Sequence, residues 1–248
     1  MNAEAQTFFR VRDRMVGRAE NARKTSTLHP DVATRRRARI RLQAYNLAVY
    51  DLETVWDREG GAQRMLAQLQ KESKVWVDKN FAPRPAHHPL LGIVEEIGEL
   101  EEARTKDEVI DAVADATIFM ADLCNEMKFD LATLYEEALD VLVRTAKRKP
   151  LAGSMGRLCH AFLKKQQGIR GTPQEHDFAM RASLVEILVS MLAVARAHEF
   201  YFLEAVQTTW DQVKDRVWRC QEPTCHTPLS DPKVHRCDQH RAVSLGVA

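Results

Sequence analysis

Five acidic residues fall within the eight positions 95–102, and the strongly apolar segment that follows carries three aspartates. The two groups are Glu95, Glu96, Glu99, Glu101 and Glu102, then Asp111, Asp115 and Asp122. On a helix, residues three or four apart share a face, so Glu96 lies beside Glu99 and Asp111 beside Asp115. Carboxylates in an apolar helix are costly unless a cation or a hydrogen-bond network meets them. Two facing helices would therefore direct four or more carboxylates at each other.

All-oxygen ligation of this kind favours Mg²⁺ or Mn²⁺ over zinc, which prefers sulfur and nitrogen. Because Mg²⁺ keeps several waters and bridges to phosphates, the pattern also predicts a phosphate-bearing substrate.

Four other acids leave alternatives open or fall outside the predicted site. Glu101 and Glu102 are typical of a solvated helix face. Glu108 continues the stripe of Asp111 and Asp115, but it also stands where a capping box needs an acid. Asp122 is either a further ligand or a surface residue.

A second candidate metal centre lies near the C-terminus, where Cys220 and Cys225 are followed by Cys237 and His240. Two ligand pairs separated by a short loop predict a tetrahedral structural zinc site. His226 and His235 are alternative ligands. A segment this short cannot bury a core, so the metal would supply its folding free energy. Cys124 and Cys159 stand in apolar helical contexts and are predicted to belong to the core.

The bulk composition excludes some function classes and places the chain in the cytoplasm. A net charge of +1 provides no global field toward nucleic acid or membrane. The N-terminus has no apolar signal-peptide region, and no apolar run approaches the ~20 residues of a membrane span. Five cysteines without such a signal indicate a reducing compartment. The run from Arg35 to Arg41 holds five arginines and is predicted to be a solvated helix face.

The elements that position these residues are predicted to be helices almost throughout, because glycine and proline are sparse and apolar residues recur at helical spacing. The predicted helices span 3–24, 31–58, 62–80, 89–103, 106–127, 131–148, 154–167, 173–198 and 200–219. Capping boxes mark two helix starts, one at Thr105 and one at Thr172, where a proline follows.

The fold class is therefore all-α, with four predicted regions. They are an N-terminal helical extension (1–60), catalytic helices (61–150), a second helical hairpin completing the bundle (151–219) and a zinc module (220–248). The short turn between helices 89–103 and 106–127 predicts antiparallel packing. Helices 173–198 and 200–219 have similar proportions and are predicted to form a second hairpin, a degenerate internal repeat that supports the first without catalysing.

The acidic region resembles the MazG-like, all-α nucleoside triphosphate pyrophosphohydrolases. Glu95-Glu96-Ile97-Gly98-Glu99 matches their EExxE motif, and Glu108-Val109-Ile110-Asp111 meets the partner motif ExxD. In a second alignment of the ExxD motif, Asp115 takes the aspartate position and Ala112 takes the usual glutamate position. Asp111 would then substitute for that glutamate, as in the D-A-x-A-D pattern of viral members. The segments 76–81 and 89–92 are also similar, so the resemblance covers roughly residues 65–149.

The resemblance implies hydrolysis of a ribo- or deoxynucleoside triphosphate to the monophosphate and pyrophosphate. It places Glu96, Glu99, Asp111 and Asp115 on Mg²⁺ (or Mn²⁺), and Glu95 on metal or on the attacking water. Candidate substrate-binding residues near the motifs are Lys79, Asn80, Asn125, Arg144, Lys147 and Arg148. Family members generally complete their bundle by dimerising, so the chain is predicted to be a homodimer or to use its second hairpin in the partner's place. A viral member would act in the host cytoplasm.

Two rival interpretations remain at the level of sequence. In one, the arginine run and the zinc module bind nucleic acid on a non-catalytic bundle. In the other, the chain is a helical scaffold without turnover. Pyrophosphate release with Mg²⁺ and salt-dependent retention on DNA distinguish them. Base and sugar preference is not predicted, and no membrane partner is expected.

Overall fold

Nine α-helices run through the part of the chain that the computed structural model describes, which comprises residues 3–81, 83–144, 150–220, 225, 227–231, 233–234 and 237. They are α1 (Ala3–Leu28), α2 (Val32–Arg58), α3 (Gly61–Phe81), α4 (His88–Glu102), α5 (Lys106–Met127), α6 (Leu131–Arg144), α7 (Leu151–Gln167), α8 (Pro173–Ala197) and α9 (Phe202–Val213). The predicted all-α class is confirmed.

The chain forms two compact units, Met1–Met65 and Leu66–Ala248, and the division falls inside α3. In the first unit α1 packs against α2, with the rings of Phe8 and Trp56 stacked at a centroid distance of 4.5 Å. Arg36, Arg37, Arg39 and Arg41 are exposed on α2, as predicted for a solvated face.

The second unit contains the antiparallel hairpin of α4 and α5, which the short turn predicts. Thr105 caps α5: its hydroxyl accepts from the Glu108 amide, and the Glu108 carboxylate accepts from the amides of Arg104 and Thr105. These bonds satisfy donors that a helix start otherwise leaves unpaired. Glu108 is therefore the capping acid, which resolves the alternative left open by its spacing.

A second hairpin exists, but its members differ from those predicted. α8 packs against α7 and α6, whereas α9 packs against α5, so the predicted pairing of 173–198 with 200–219 is wrong. The five-residue link 168–172 between α7 and α8 permits the hairpin, because Gly168 ends α7 in the left-handed conformation at φ 65°.

The helices α4–α5–α6 and α7–α8–α9 share local features, an alignment that differs from the predicted repeat of 89–127 with 173–219. The second helix of each set begins with a capping box, at Thr105 or Thr172. Each set then turns through a left-handed residue followed by phenylalanine. Phe129 donates its amide to Cys124 O at 2.9 Å and Phe200 donates to Ala195 O at 3.0 Å. The third helix of each set packs against the second helix of the other set, α6 on α8 and α9 on α5.

Helix α8 is mostly buried over residues 183–195, as the apolar composition of that stretch predicts. Its buried residues include Leu184, Ile187, Leu188 and Met191. Among the described residues α8 is also the one helix long and apolar enough to cross a membrane, and 67% of its most apolar 18-residue window is buried inside the protein. A core helix satisfies the same length and composition criterion, so this is weak evidence for a membrane span.

Among the described residues, three helix ends differ from prediction by three residues or more, whereas several others differ by one or two. α1 continues to Leu28 instead of residue 24. α7 begins at Leu151 instead of 154, because Pro150 serves as its N-cap and accepts from the amides of Gly153 and Ser154. α9 ends at Val213 instead of 219, since α3 side chains bind the backbone that follows, as described below.

Candidate functional site

The register of α4 against α5 brings the acidic residues together. Gly92 lies directly against the Phe119 ring, since a Cβ atom at Gly92 would stand 2.5 Å from that ring. In an antiparallel pair, one turn along α4 from Gly92 corresponds to one turn back along α5 from Phe119. Glu96 therefore faces Asp115.

The pKa of Glu96 responds to the other four predicted acids. Burial raises the pKa of Glu96 to about 8, and negative charge on its acidic neighbours adds to this rise. Those neighbours are Asp115, Glu99, Glu95 and Asp111. Glu96 and Asp115 are half-buried, whereas the other three are exposed. These neighbours repel a charged Glu96, and a bound cation would relieve that repulsion. Among the described residues, however, no three of these carboxylates bring ligand oxygens within 4.8 Å of one another.

Asp115 has one cationic neighbour. Burial raises the pKa of Asp115 to about 6, Asp111 adds to the rise, and the positive charge of Arg216 opposes it. Arg216 lies on the segment that follows α9 and was not among the predicted site residues.

A cavity of about 420 Å³ opens beside Glu96 and Asp115. It is lined by Ser73, Trp76, Val77, Phe81, Arg84, His88, Glu96, Asp115, Ile118, Phe119, Asp122, Val213, Arg216 and Trp218. Its walls come from α3, α4, α5 and the segment after α9. The aromatic rings include Trp76 and Phe81, whose centroids are 5.4 Å apart in an edge-to-face arrangement. The cavity is therefore acidic at one end and mainly apolar elsewhere.

Asp122 and Arg84 form a buried ion pair in the cavity lining, so neither reading of Asp122 left open by the sequence describes its contacts. Burial raises the pKa of Asp122 to about 6, against the effect of Arg84. Asp122 Oδ1 and Arg84 Nε are both buried without a hydrogen-bond partner. Since Asp122 is seven residues beyond Asp115, this pair lies roughly 10 Å along the α5 axis from the acidic end.

The predicted substrate-binding residues do not line this cavity. Asn80 is fully buried; its amide group donates to Trp76 O and accepts from the Trp218 amide. Asn125 donates to Gln70 O and Ser73 Oγ and so joins α5 to α3. Lys79 is exposed on α3.

Of the three basic residues predicted at the end of α6, one lies away from the cavity and two are outside the described residues. Arg144 is exposed, pairs with Asp140 at 3.0 Å and lines a separate groove between α6 and α8. Lys147 and Arg148 are outside the described residues.

The cysteines of the predicted zinc site do come together. One ligand atom from each of Cys220, Cys225 and Cys237 lies within 4.8 Å of the others, and the Cys225 and Cys237 sulfurs are 3.8 Å apart. Tetrahedral zinc with Zn–S bonds of about 2.3 Å requires sulfurs about 3.8 Å apart. Hydrogen bonding to Thr227 lowers the pKa of Cys225 to about 6, which favours the thiolate form that binds metal.

The remaining predicted ligands and cysteines have separate outcomes. His240, with the alternatives His226 and His235, lies outside the described residues. Cys124 is fully buried as predicted, whereas Cys159 is only half-buried.

Three cavity residues that sequence reasoning missed are Arg84, Arg216 and Trp218. Arg84 stands between two prolines just before α4, where a helix cannot continue, and that isolated cation is a usable signal. Arg216 and Trp218 gave no local signal, because their place depends on contacts with α3.

Compared with known proteins, the chain matches no family model, no curated protein and no solved structure. The interpretation of the site therefore depends on the residues and contacts described above.

Proposed function

We propose that this chain hydrolyses a ribo- or deoxynucleoside triphosphate to the monophosphate and pyrophosphate with the help of Mg²⁺ or Mn²⁺. The observation that carries the proposal is that Glu96 of α4 and Asp115 of α5 line one end of a cavity with aromatic walls, while the charges of Glu95, Glu99 and Asp111 also act on Glu96. The MazG-like resemblance of the same residues supports it.

The donor set fits a hard divalent cation. Glu96, Glu99, Asp111 and Asp115 offer only oxygen, and Mg²⁺ is bound through carboxylates together with substrate phosphates. When bound, Mg²⁺ neutralises phosphate charge and polarises the attacked phosphorus.

The chain's own groups would orient the reaction. Glu95 is exposed beside the cluster and would bind metal or orient the attacking water by accepting a hydrogen bond. Water adds to phosphorus, the bond between the α- and β-phosphates breaks, and pyrophosphate leaves. The phosphates would lie between the acidic cluster and Arg216.

The nucleoside would occupy the aromatic part of the cavity. Trp76, Phe81 and Trp218 offer ring faces for a base, and base–aromatic stacking is worth about 1–3 kcal/mol per base. The buried pair of Arg84 and Asp122 lies at the end of the cavity away from the cluster and would read polar atoms of the base.

The cysteine cluster would hold a structural zinc ion, separate from the Mg²⁺ site. Three sulfur donors within 4.8 Å of one another suit zinc and do not suit Mg²⁺. His240 is the proposed fourth ligand. Elemental analysis tests this: one zinc per chain is expected, and the Cys225→Ser variant should lose it.

The central experiment is a panel of ribo- and deoxynucleoside triphosphates incubated with Mg²⁺, with products separated by chromatography. Monophosphate and pyrophosphate in equal amounts are expected from at least one substrate. Release of inorganic phosphate alone, or no turnover of any substrate with Mg²⁺ or Mn²⁺, would contradict the proposal.

A further inference from the structure

The segment from Arg216 to Cys220 joins the cavity to the cysteine cluster. On one side it is fastened to α3: Trp76 Nε1 donates to Arg216 O at 3.0 Å, and the Trp218 amide donates to Asn80 Oδ1 at 2.7 Å. These bonds replace those that a longer α9 would make, which explains why that helix ends at Val213.

On its other side the same segment pairs with the turn that carries Cys225. Leu229 donates its amide to Trp218 O at 3.0 Å, and Cys220 donates its amide to Thr227 O at 2.9 Å. Arg219 and Pro228 form an isolated antiparallel bridge. Trp218 is therefore held between α3 and the cysteine turn, and it lies two residues from a metal ligand.

Arg216 contributes positive charge beside the acidic cluster. It lines the cavity together with Glu96 and Asp115, and its charge acts on Asp115. Among the described residues no carboxylate lies within ion-pair distance of Arg216, so its guanidinium is free to meet an anionic ligand. Guanidinium groups bind phosphate oxygens in a bidentate manner.

We propose that metal bound by the three cysteines holds Arg216 and Trp218 in the cavity wall, so that metal occupancy strengthens nucleotide binding. This inference depends on the proposed function, since the ligand is a nucleoside triphosphate. Cys220 belongs to this segment and Cys225 to the turn that pairs with it, so a metal bound by both would cross-link the two. Metal binding would thus add its free energy to the backbone bonds that hold Trp218 in place.

The proposal makes Arg216 a phosphate-binding residue and Trp218 a residue that contacts the base. It also requires reciprocity: nucleotide must tighten metal binding by the factor by which metal tightens nucleotide binding. A factor above one would show linkage between the two sites, whereas a merely structural zinc ion would give a factor of one.

The test uses the full chain with a non-hydrolysable α,β-imido triphosphate of the best substrate from the panel and Mg²⁺ present throughout. Nucleotide affinity is measured by tryptophan fluorescence before and after zinc is removed with a thiophilic chelator. We expect affinity to fall by about 5–150-fold on zinc removal, the usual range of coupling between sites. Zinc affinity, measured by chelator competition, should rise by the same factor when nucleotide is added.

Three variants test which residues couple the zinc site to the nucleotide site. Arg216→Gln should weaken nucleotide binding in the zinc-loaded protein and reduce the linkage, while its zinc affinity without nucleotide stays unchanged. Cys225→Ser should behave as the zinc-free protein does, whereas Cys159→Ser, a thiol outside the cluster, should behave as the unaltered chain. Circular dichroism verifies that the helices persist in each variant.

Three outcomes would each overturn either this inference or the proposed function. Equal nucleotide affinity with and without zinc would overturn the inference and leave the hydrolase proposal standing. Full linkage in Arg216→Gln would also overturn it, because the coupling would not use that residue. Failure of the zinc-loaded chain to bind any nucleotide would instead overturn the proposed function.

Discussion

The sets α4–α5–α6 and α7–α8–α9 share an architecture and differ in their chemistry. Counted from the capping threonines, Asp115 and Ala182 are both tenth, and Asp111 and Phe178 are both sixth. The capping boxes, the left-handed turns and the reciprocal packing of the third helices are kept in both sets. Helix ends and packing are thus specified independently of the carboxylates.

The two sets also differ in what lies beside the second helix. The groove between α6 and α8, about 540 Å³, is lined by Phe178, Ala182, Val185, Glu186 and Val189 of α8. These positions correspond to residues of α5 at or beside the cavity. Glu186 is the one acid that α8 places in this lining; as predicted, it pairs with a basic residue, Arg157, and it also accepts from Ser154. The α6 acids Glu137 and Asp140 in the same lining also pair with arginines. Carboxylates already paired with arginines are poor candidates for a Mg²⁺ site, so we expect chemistry only in the first set.

The largest contrast should come from exchanging one acid in each set for its amide. Asp115→Asn removes a predicted metal ligand and should lower kcat by about 10²–10⁴-fold with the fold intact. The comparison variant Glu186→Gln should change kcat less than about twofold, because Glu186 lies in the other set. Initial rates of pyrophosphate release measure both. A large loss in Glu186→Gln at unchanged stability would show that the second set takes part in catalysis.

The next contrast concerns the core that the second set provides. Leu188 is fully buried in α8, so Leu188→Ala should lower the free energy of unfolding by roughly 2–5 kcal/mol. Leu163→Ala on α7, at a side chain that is 49% exposed, is the matched control and should cost far less. Urea denaturation followed by circular dichroism compares the two. Equal losses would contradict the packing of α8.

A third contrast tests the close approach of α4 to α5. Gly92→Ala places a methyl group 2.5 Å from the Phe119 ring and should cost about 1–3 kcal/mol. Phe119 lines the cavity, so its displaced ring should also weaken nucleotide binding. Gly98→Ala on the same helix has open space and should stabilise the protein by roughly 0.5–1 kcal/mol. The melting temperature should fall in Gly92→Ala and rise in Gly98→Ala. Changes of the same sign in both variants would contradict the register of α4 against α5.

The smallest expected effect is a pH dependence confined to the first set. Because the pKa of Glu96 is raised from 4.5 to about 8, its contribution to stability is fully present below about pH 4.5 and is lost as the pH rises toward 8. Without divalent cations, the melting temperature should fall between pH 5.5 and 8.5, and Glu96→Gln should reduce that fall.

Mg²⁺ should raise the melting temperature at pH 8, because the cation takes over the role of the proton at the acidic cluster. Glu101→Gln, at an exposed acid on the same helix, should leave the pH dependence unchanged. An undiminished fall in Glu96→Gln would show that Glu96 is not the titrating group.

Local signals in the sequence were sufficient for the capping boxes, the acidic stripe and the buried character of α8. They were not sufficient for pairing or for the rest of the cavity. Loop length alone suggested that α8 pairs with α9, although the helices pack with other partners. Asn80 was predicted to bind substrate, but its amide instead holds the Trp218 backbone, 138 residues away. Contacts between residues so far apart in the chain produce no pattern in the sequence around either residue.

The bonds from α3 to the segment after α9 also bear on the order of events during synthesis. Trp76 and its acceptor at Arg216 are 140 residues apart, so the cavity wall closes one of the longest loops in the second unit. Ribosomes make chains from the N-terminus, and α4 and α5 are complete about ninety residues before that acceptor appears. A nascent chain would therefore present the acids of α4 and α5 with the cavity still open, and the cavity wall would close only after Trp218 has been made.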